Sequence, residues 1–323
     1  MAESPGAGAA RSAVAERLRL RFLVAAAILA VFGALGGIGV YRYVDAYWLY
    51  RGFPPPKDAA WVRSHGHLQV IHIRSAALGD RSQQVLVYLP PGYARHPLKR
   101  YPVLYLLHGS PGTPVAMFNA LGAGVVEDEL VARHKMQPLI LVFPNGSTSF
   151  VDDKEWANGI ERGQQWETFV ARDVVRAIDR RYRTIRSGAA RAIAGLSEGG
   201  YGSLNIGLHH PGLFHVLESW SGYMRADPIP SIFGNSPGRL AYNSPSLYLP
   251  TVAARLRRDH IHIWFYVCRH DEFPAENYAF ASELTRYRVP HTFRVVRGGH
   301  NWGAWRRNTP GAFIEASRLL AHG

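Results

Sequence analysis

Residues 189–204, with the sequence ARAIAGLSEGGYGSLN, place a serine inside a Gly-x-Ser-x-Gly pattern formed by Gly195, Ser197 and Gly199. An apolar, strand-like run precedes the pattern, and a helix-like segment follows it. A strand that turns directly into a helix projects Ser197 only if its neighbours are small, because a Cβ would collide in so tight a turn. The stretch therefore predicts a nucleophile elbow in which Gly195 and Gly199 make the turn. A plain glycine-rich loop is the alternative.

From about residue 65 onward, strand-like and helix-like stretches alternate, as is typical of βαβ units around a mostly parallel sheet with helices on both faces. The strand candidates are 68–73, 84–89, 103–107, 139–143, 191–195, 215–220, 261–267 and 291–296. The first two are close in sequence and are expected to pair antiparallel. The helix candidates are 123–134, 167–182, 199–209, 274–287 and 311–321. Residues 222–250, rich in Pro, Ser and Gly, are expected to form an irregular excursion over the sheet.

Residues 22–41 carry no charged side chain, and about 20 helical residues span the hydrocarbon core of a membrane. Three arginines lie between residues 17 and 21, so the positive-inside bias predicts a cytoplasmic N-terminus. We therefore expect a cytoplasmic tail at 1–21, a single-pass signal anchor at 22–41, a linker at 42–64 and an extracytoplasmic catalytic domain at 65–323. A signal peptide cleaved near Gly36 is the alternative, and the domain would then be secreted.

The formal net charge of +13 is scattered along the chain instead of being gathered into a stripe or tail. Nucleic-acid binding requires clustered Lys and Arg on a recognisable module, so we expect no nucleic-acid partner. Attraction to an anionic membrane or envelope surface is the better use of this charge, and a solvated arginine-rich surface is the alternative. The single cysteine, Cys268, excludes an intramolecular disulfide, and its apolar surroundings in sequence predict a buried core thiol.

A serine hydroxyl is a poor nucleophile at neutral pH, so a histidine base and an orienting carboxylate must accompany Ser197. Asp271 and His300 each follow a predicted strand, in the chain order Ser, Asp, His. Two glycines directly before His300 free the backbone to bring it over the sheet, which favours His300 over His270 and His291. Glu272 is the rival of Asp271 as the acid.

The stabilisation of a negatively charged oxygen needs two backbone N–H donors near Ser197. Glu198 supplies one, and Ser110 in the loop after strand 103–107 supplies the other, because the following proline has no N–H. A purely structural turn at this loop is the alternative. Trp302 and Trp305 follow His300 closely and are candidates for lining a substrate pocket, with core packing as the alternative.

No metal and no cofactor are predicted. Two His-x-His pairs are present, His65 with His67 and His260 with His262. Alternation along a strand and ordinary surface histidines explain these pairs better, because no carboxylate or third histidine is spaced to complete a catalytic zinc site.

Six segments together resemble the putative esterase (esterase D) family of α/β hydrolases: VLVYLPPGY, YPVLYLLHGSPG, WETFVARDVVRAID, RAIAGLSEGGYGSL, HHPGLF and GGHNWGAWRR. The family includes S-formylglutathione hydrolases, feruloyl and enterochelin esterases, and mycolyltransferases of the antigen 85 type. The resemblance covers about residues 68–321. It implies the α/β-hydrolase fold, a triad of Ser197, Asp271 and His300, and an oxyanion hole formed by the N–H groups of Ser110 and Glu198.

One residue departs from the family pattern. Many members carry Met after the nucleophile, where this chain has Glu198. The backbone N–H is unaffected by this change. A carboxylate near the oxyanion would lower the rate or select a cationic substrate, unless it points away.

We therefore predict a membrane-anchored, extracytoplasmic serine esterase that hydrolyses a small-molecule, lipid or sugar ester through an acyl-Ser197 intermediate. An acyltransferase that moves the acyl group to a sugar or lipid alcohol would use the same residues. The WETF segment, also present in the mycolyltransferase-like branch, and the membrane anchor keep that alternative open. A non-catalytic binding protein on the same fold is the third hypothesis, and the complete triad argues against it.

Overall fold

The first element is a single long helix, α1 (Gly6–Tyr50). The computed structural model describes residues 6–147 and 154–322, the side chains of residues 6–18, 45, 46 and 48 excepted. Within α1, the stretch Arg19–Val44 is long and apolar enough to cross a membrane, and none of it is buried. It contains the predicted span at 22–41. Residues 1–5 of the predicted cytoplasmic tail lie outside the described residues.

The predicted linker at 42–64 differs from the structure at both of its ends. Its first part is helical, because α1 runs on to Tyr50. Its last part belongs to the larger of the two compact units into which the chain divides, since that unit begins at Pro55 and Val62 is buried. The apolar side chain of Val62 explains the second difference, because a solvated linker would leave that surface in water.

Eight strands form one sheet in the order β1-β2-β4-β3-β5-β6-β7-β8. They are β1 (His67–Ser75), β2 (Arg81–Leu89), β3 (Val103–Leu107), β4 (Ile140–Pro144), β5 (Arg191–Leu196), β6 (Val216–Trp220), β7 (His262–His270) and β8 (His291–Gly299). β1 pairs antiparallel with β2, and β2 antiparallel with β4, whereas every other pair is parallel. The predicted strands and the antiparallel start are confirmed.

The helices that follow α1 cover both faces of the sheet. They are α2 (Pro114–Leu121), α3 (Ala123–Ala132), α4 (Trp166–Thr168), α5 (Val175–Arg181), α6 (Glu198–His209), α7 (Pro230–Phe233), α8 (Pro237–Tyr242), α9 (Pro245–Arg258), α10 (Pro274–Arg286) and α11 (Trp302–Leu319), with a π-helical turn at Phe169–Val174 between α4 and α5. One core contains apolar side chains of α5, α6, α9 and α10, and the other contains those of α2, α3 and α11. The central strands β3, β4, β5 and β6 are buried on both faces, as in an α/β protein with a parallel sheet, whereas the edge strands β1 and β8 are largely exposed or half-buried. The predicted fold class is confirmed.

The expected irregular excursion at 222–250 is wrong for much of its length, because α7, α8 and the start of α9 lie within it. Each of these helices begins with a proline in its first turn. The first N–H groups of a helix have no intrahelical acceptor, so proline is tolerated there and favours helix initiation. The prolines that suggested irregular structure therefore mark helix starts.

Candidate active site

Ser197 lies at the turn between β5, which ends at Leu196, and α6, which begins at Glu198. Its backbone has φ 56° and ψ −125°, a conformation that residues other than glycine rarely adopt. A Cβ on Gly195 would lie 2.1 Å from the carbonyl oxygen of Gly199, and a Cβ on Gly199 would lie 2.1 Å from that of Leu107. Both glycines therefore occupy positions where no side chain fits.

The structure brings Ser197, Asp271 and His300 into one hydrogen-bonded chain. The Ser197 hydroxyl donates to Nε2 of His300 (Oγ–Nε2, 2.8 Å), and Nδ1 of His300 donates to Oδ1 of Asp271 (3.1 Å). The three residues follow β5, β7 and β8, which run parallel in one sheet and therefore end at the same edge. Residues remote in sequence meet there because of this topology.

The Asp271 side chain is fully buried. Burial alone would raise its pKa, but interactions with His300, with Ser221 and with the Glu272 N–H outweigh burial and hold the pKa of Asp271 below its ordinary value. A carboxylate at this position fixes the His300 tautomer with a proton on Nδ1, which leaves Nε2 as the acceptor for the Ser197 hydroxyl. Glu272, the rival acid, is exposed and contributes its backbone N–H, at 2.7 Å from Oδ1 of Asp271.

Two aromatic rings hold the His300 imidazole edge-on. Phe273 lies 5.6 Å from it between centroids at 81°, and Trp305 lies 4.9 Å away at 86°. Trp305 is almost fully buried in the core, whereas Trp302 is half-buried and packs edge-to-face on Trp305 at 5.2 Å. Of the two tryptophans predicted to line a pocket, Trp305 thus contacts the histidine itself and Trp302 lies one ring further out.

The loop after β3 runs beside the nucleophile. A Cβ on Gly109 would lie 3.0 Å from Cβ of Ser197, which places the backbone before Ser110 against the elbow. His108 fixes this loop, because its Nε2 accepts from the Gly146 N–H (3.0 Å) and its carbonyl accepts from Nε1 of Trp156 (2.9 Å). With Nε2 as acceptor, Nδ1 carries the proton and donates to the Gly109 carbonyl (3.0 Å). Sequence reasoning treated His108 only as part of a turn.

Glu198 is buried, with 6% of its surface exposed, as the first residue of α6. It neighbours a stacked pair of tyrosines, Tyr201 and Tyr223, whose rings lie 4.8 Å apart at 12°. Tyr223 donates to the carboxylate of buried Glu155. Burial, and next the charges of Glu155 and Glu198, raise the pKa of Tyr223. A cluster of acids and tyrosines thus adjoins the elbow, and sequence analysis had found only Glu198 in it.

Sequence analysis found no carboxylate spaced to join His65 in a zinc site, but two carboxylates lie beside this histidine in the structure. Nδ1 of His65 lies 3.0 Å from Oδ2 of Asp58 and 3.5 Å from Oδ2 of Asp128, so three ligand-type atoms stand within 4.8 Å of one another. Long-range folding brings in Asp128, which comes from α3, whereas Asp58 lies only seven residues before His65. Asp128 also accepts from the Tyr88 hydroxyl (2.7 Å) and from the Gly66 N–H (3.1 Å). The arrangement is a hydrogen-bonded clasp between the segment preceding β1 and the body of the domain.

Comparison with known proteins identifies relatives for most of the chain. Residues 75–316 match the family described as "Putative esterase". The endo-1,4-beta-xylanase/feruloyl esterase of Xylanibacter ruminicola is 33% identical over 162 residues, which are 49% of this chain and 22% of that protein. An esterase of Mycobacterium tuberculosis is 28% identical over 222 residues, which are 64% of this chain and 44% of that protein. The chain therefore spans less than half the length of these curated relatives.

The solved structure of a ferulic acid esterase resembles this chain, with a TM-score of 0.70 and 27% sequence identity. The likeness covers 79% of this chain and 100% of that chain. The α/β architecture described above is therefore that of known esterases over the full length of the compared structure.

Proposed function

The chain belongs to the putative esterase family, and we propose that it is a serine carboxylic-ester hydrolase whose catalytic triad is Ser197, His300 and Asp271. The hydrogen-bonded chain from the Ser197 hydroxyl through His300 to Asp271 carries the proposal. Each group has the role that its contacts suit, as nucleophile, general base and orienting carboxylate. The buried, ionised Asp271 stabilises the imidazolium that forms when His300 accepts a proton.

Acylation begins when Oγ of Ser197 attacks the ester carbonyl carbon as His300 removes the hydroxyl proton. The carbonyl oxygen becomes an oxyanion, which the N–H groups of Ser110 and Glu198 stabilise in this proposal. Collapse of the tetrahedral intermediate breaks the bond to the alcohol oxygen, and His300 returns its proton to that alcohol. In deacylation, water attacks the acyl-Ser197 ester with His300 again as base. The carboxylic acid leaves, and the Ser197 hydroxyl is restored.

Feruloyl esters are the first substrates to test, because two similar proteins bear the names feruloyl esterase and ferulic acid esterase. Half-buried Trp302, packed on the Trp305 that supports His300, is the proposed contact for the acyl group. An aromatic acyl group would suit this edge, because aromatic rings pack favourably edge-to-face.

We further propose that the apolar stretch Arg19–Val44 anchors the enzyme in a membrane, with the catalytic domain outside the cytoplasm. The length and apolar character of the stretch support anchoring, and the arginines at 17, 19 and 21, at its N-terminal end, support the orientation. Esters at the cell envelope would then be the accessible substrates.

A fluorophosphonate probe tests the catalytic assignment directly, because it reacts with activated serine hydroxyls. We expect covalent labelling of the wild-type chain at Ser197 and no labelling of the Ser197→Ala variant, which should also lose hydrolysis of p-nitrophenyl esters. Folded protein that hydrolyses these esters without Ser197 would disprove the triad. Recovery of the acyl group on an added sugar or lipid alcohol, in place of the free acid, would identify an acyltransferase.

A further inference from the structure

The hydroxyl of Ser221, which the mechanism above does not use, lies between the strands that lead to Ser197 and Asp271. Ser221 directly follows β6, the strand that pairs with β5 on one side and β7 on the other. The residue is fully buried, and its N–H donates to the Tyr266 carbonyl of β7 (2.8 Å). Its φ of 55° lies in the left-handed region, which costs energy for a residue other than glycine. Because Ser221 is buried and strained at the edge of the sheet where Ser197, Asp271 and His300 meet, a functional role is expected for it.

The contacts of the Ser221 hydroxyl lead toward Asp271. Its Oγ accepts from the Cys268 N–H (3.3 Å) and donates to the Cys268 sulfur (3.4 Å). The chain then turns, because the Asp271 N–H donates to the Cys268 carbonyl (3.2 Å). Oγ therefore accepts from the backbone, and in this rotamer its own proton is directed at the sulfur. A thiol is a weak acceptor, and a carboxylate is a strong one.

The Asp271 carboxylate has one oxygen that needs a donor. Oδ1 accepts from His300 and from the Glu272 N–H. Oδ2 is buried, and no group in the described part of the chain donates to it at regular hydrogen-bond geometry. A buried carboxylate oxygen without a donor is costly, so a nearby hydroxyl that can rotate toward it gains a charge-assisted hydrogen bond. Interaction with Ser221 accordingly contributes to the low pKa of Asp271, against the effect of burial.

We propose that Ser221 is a positioning residue of the triad, whose hydroxyl donates to Oδ2 of Asp271 and so keeps Oδ1 facing His300. This inference rests on the proposed function of Ser197, His300 and Asp271. Ser221 touches no reacting atom. It restrains rotation of the carboxylate and compensates its burial at the moment when His300 becomes positively charged.

The test compares Ser221→Ala and Ser221→Gly in the full-length chain, with p-nitrophenyl butyrate as substrate from pH 5 to pH 9. Both variants lose the hydroxyl, but only glycine relieves the backbone strain. We expect kcat to fall about 10- to 100-fold in both, with KM changed less than about twofold, because one charge-assisted hydrogen bond is lost. The acidic limb of the kcat/KM profile should move to higher pH by about half to one unit, because an Asp271 carboxylate without that donor binds a proton more readily and holds the His300 imidazolium more tightly.

Ser219→Ala is the matched control, since Ser219 is a buried serine of β6 whose hydroxyl has no partner in the described part of the chain. It should keep the wild-type kcat and pH profile. Wild-type kcat and pH profile in both Ser221 variants would overturn the inference while the Ser197→Ala result left the proposed function standing. Activity retained in Ser221→Gly but lost in Ser221→Ala would show that the backbone conformation of Ser221 matters and its hydroxyl does not. Loss of cooperative unfolding in both variants would show that Ser221 serves the stability of the fold. Either result would overturn the positioning role.

Discussion

Gly195 packs so closely on Gly199 that a Cβ built on it would stand 2.1 Å from the Gly199 carbonyl oxygen. That oxygen belongs to backbone at the start of α6 and cannot move without displacing Ser197. We expect Gly195→Ala to lose turnover and to lower the free energy of unfolding by about 3 kcal/mol, as overpacking does. Thermal unfolding and p-nitrophenyl ester hydrolysis measure the two effects.

Gly311→Ala is the control for this substitution. Gly311 lies inside α11, and a Cβ there would meet nothing within 4 Å. Activity should be retained, and stability should rise by about 0.5–1 kcal/mol because alanine favours a helix. A Gly195→Ala enzyme as stable and active as this control would show that the elbow tolerates a side chain.

The strands could be predicted from sequence because their signal is local. Apolar runs such as 103–107 are buried on both faces. A run of that length predicts a strand even when its neighbours in the sheet are not known. The helices of 222–250 were missed for an equally local reason, since proline carries opposite meanings at a helix start and inside a helix. α11 begins at Trp302 instead of 311 because Asn301 caps it, its side chain accepting from the Ala304 N–H (3.1 Å).

Some residues of the site can be recognised from a local sequence pattern, whereas others lie at the site only because the fold brings them there. Ser197 and His300 were recognisable because glycines surround them at strand ends. Ser221 and Tyr223 stand in an unremarkable stretch, and they reach the site only because β6 lies between β5 and β7. No local pattern predicts that neighbourhood. The pairing of His65 with Asp128 is of the same kind, because it joins the segment before β1 to a helix that follows β3.

Asp271→Asn should lower kcat about a thousandfold while leaving the fold intact. An amide can donate to Nδ1 of His300, which favours the wrong tautomer, and it cannot stabilise the imidazolium. Steady-state kinetics with p-nitrophenyl butyrate checks this expectation. Glu272→Gln is the matched control, because the exposed Glu272 side chain is replaced while its N–H to Asp271 remains. If Glu272→Gln were the variant that lost activity, the acid of the triad would be Glu272.

Asp128 should make the domain less stable as pH rises. Burial raises the pKa of Asp128 to about 6, partly offset by hydrogen bonds from Tyr88 and Gly66. The charge of Asp58 raises this pKa further, whereas that of His65 lowers it. The folded protein therefore binds more protons than the unfolded chain between about pH 4 and pH 6, and stability from this group declines across that window.

Asp128→Asn removes this titration and keeps an oxygen for Tyr88 and Gly66. The melting temperature of the variant relative to wild type should therefore improve between pH 4 and pH 7, by about 2–4 °C for each 1 kcal/mol in a domain of this size. Parallel thermal scans of both proteins give the difference at each pH. A difference that stayed constant or reversed would show that the Asp128 carboxyl ionises as easily in the folded state as in the unfolded chain.

Glu198→Gln should raise kcat/KM for a neutral ester by about three- to tenfold. The substitution keeps the backbone N–H proposed for the oxyanion hole and replaces the buried carboxyl group of the same residue with a neutral amide. The comparison uses p-nitrophenyl butyrate at low and high salt. Glu272→Gln again serves as control, since it removes an exposed charge that water screens. An unchanged or lower rate in Glu198→Gln would mean that the carboxylate does not oppose oxyanion formation.

The orientation of α1 can be tested with reporters fused after residue 60, beyond the helix end at Tyr50. We expect alkaline phosphatase, which needs an oxidising compartment, to be active there, and a cytoplasmic fluorescent protein to be dark. Replacing the arginines at 17, 19 and 21 with glutamine should lower the phosphatase signal, because the charge bias that orients the span is then removed. The mass of the membrane-bound product separates an uncleaved anchor from a signal peptide cut near Gly36. A fluorescent fusion with inactive phosphatase would place the catalytic domain in the cytoplasm and overturn the proposed orientation.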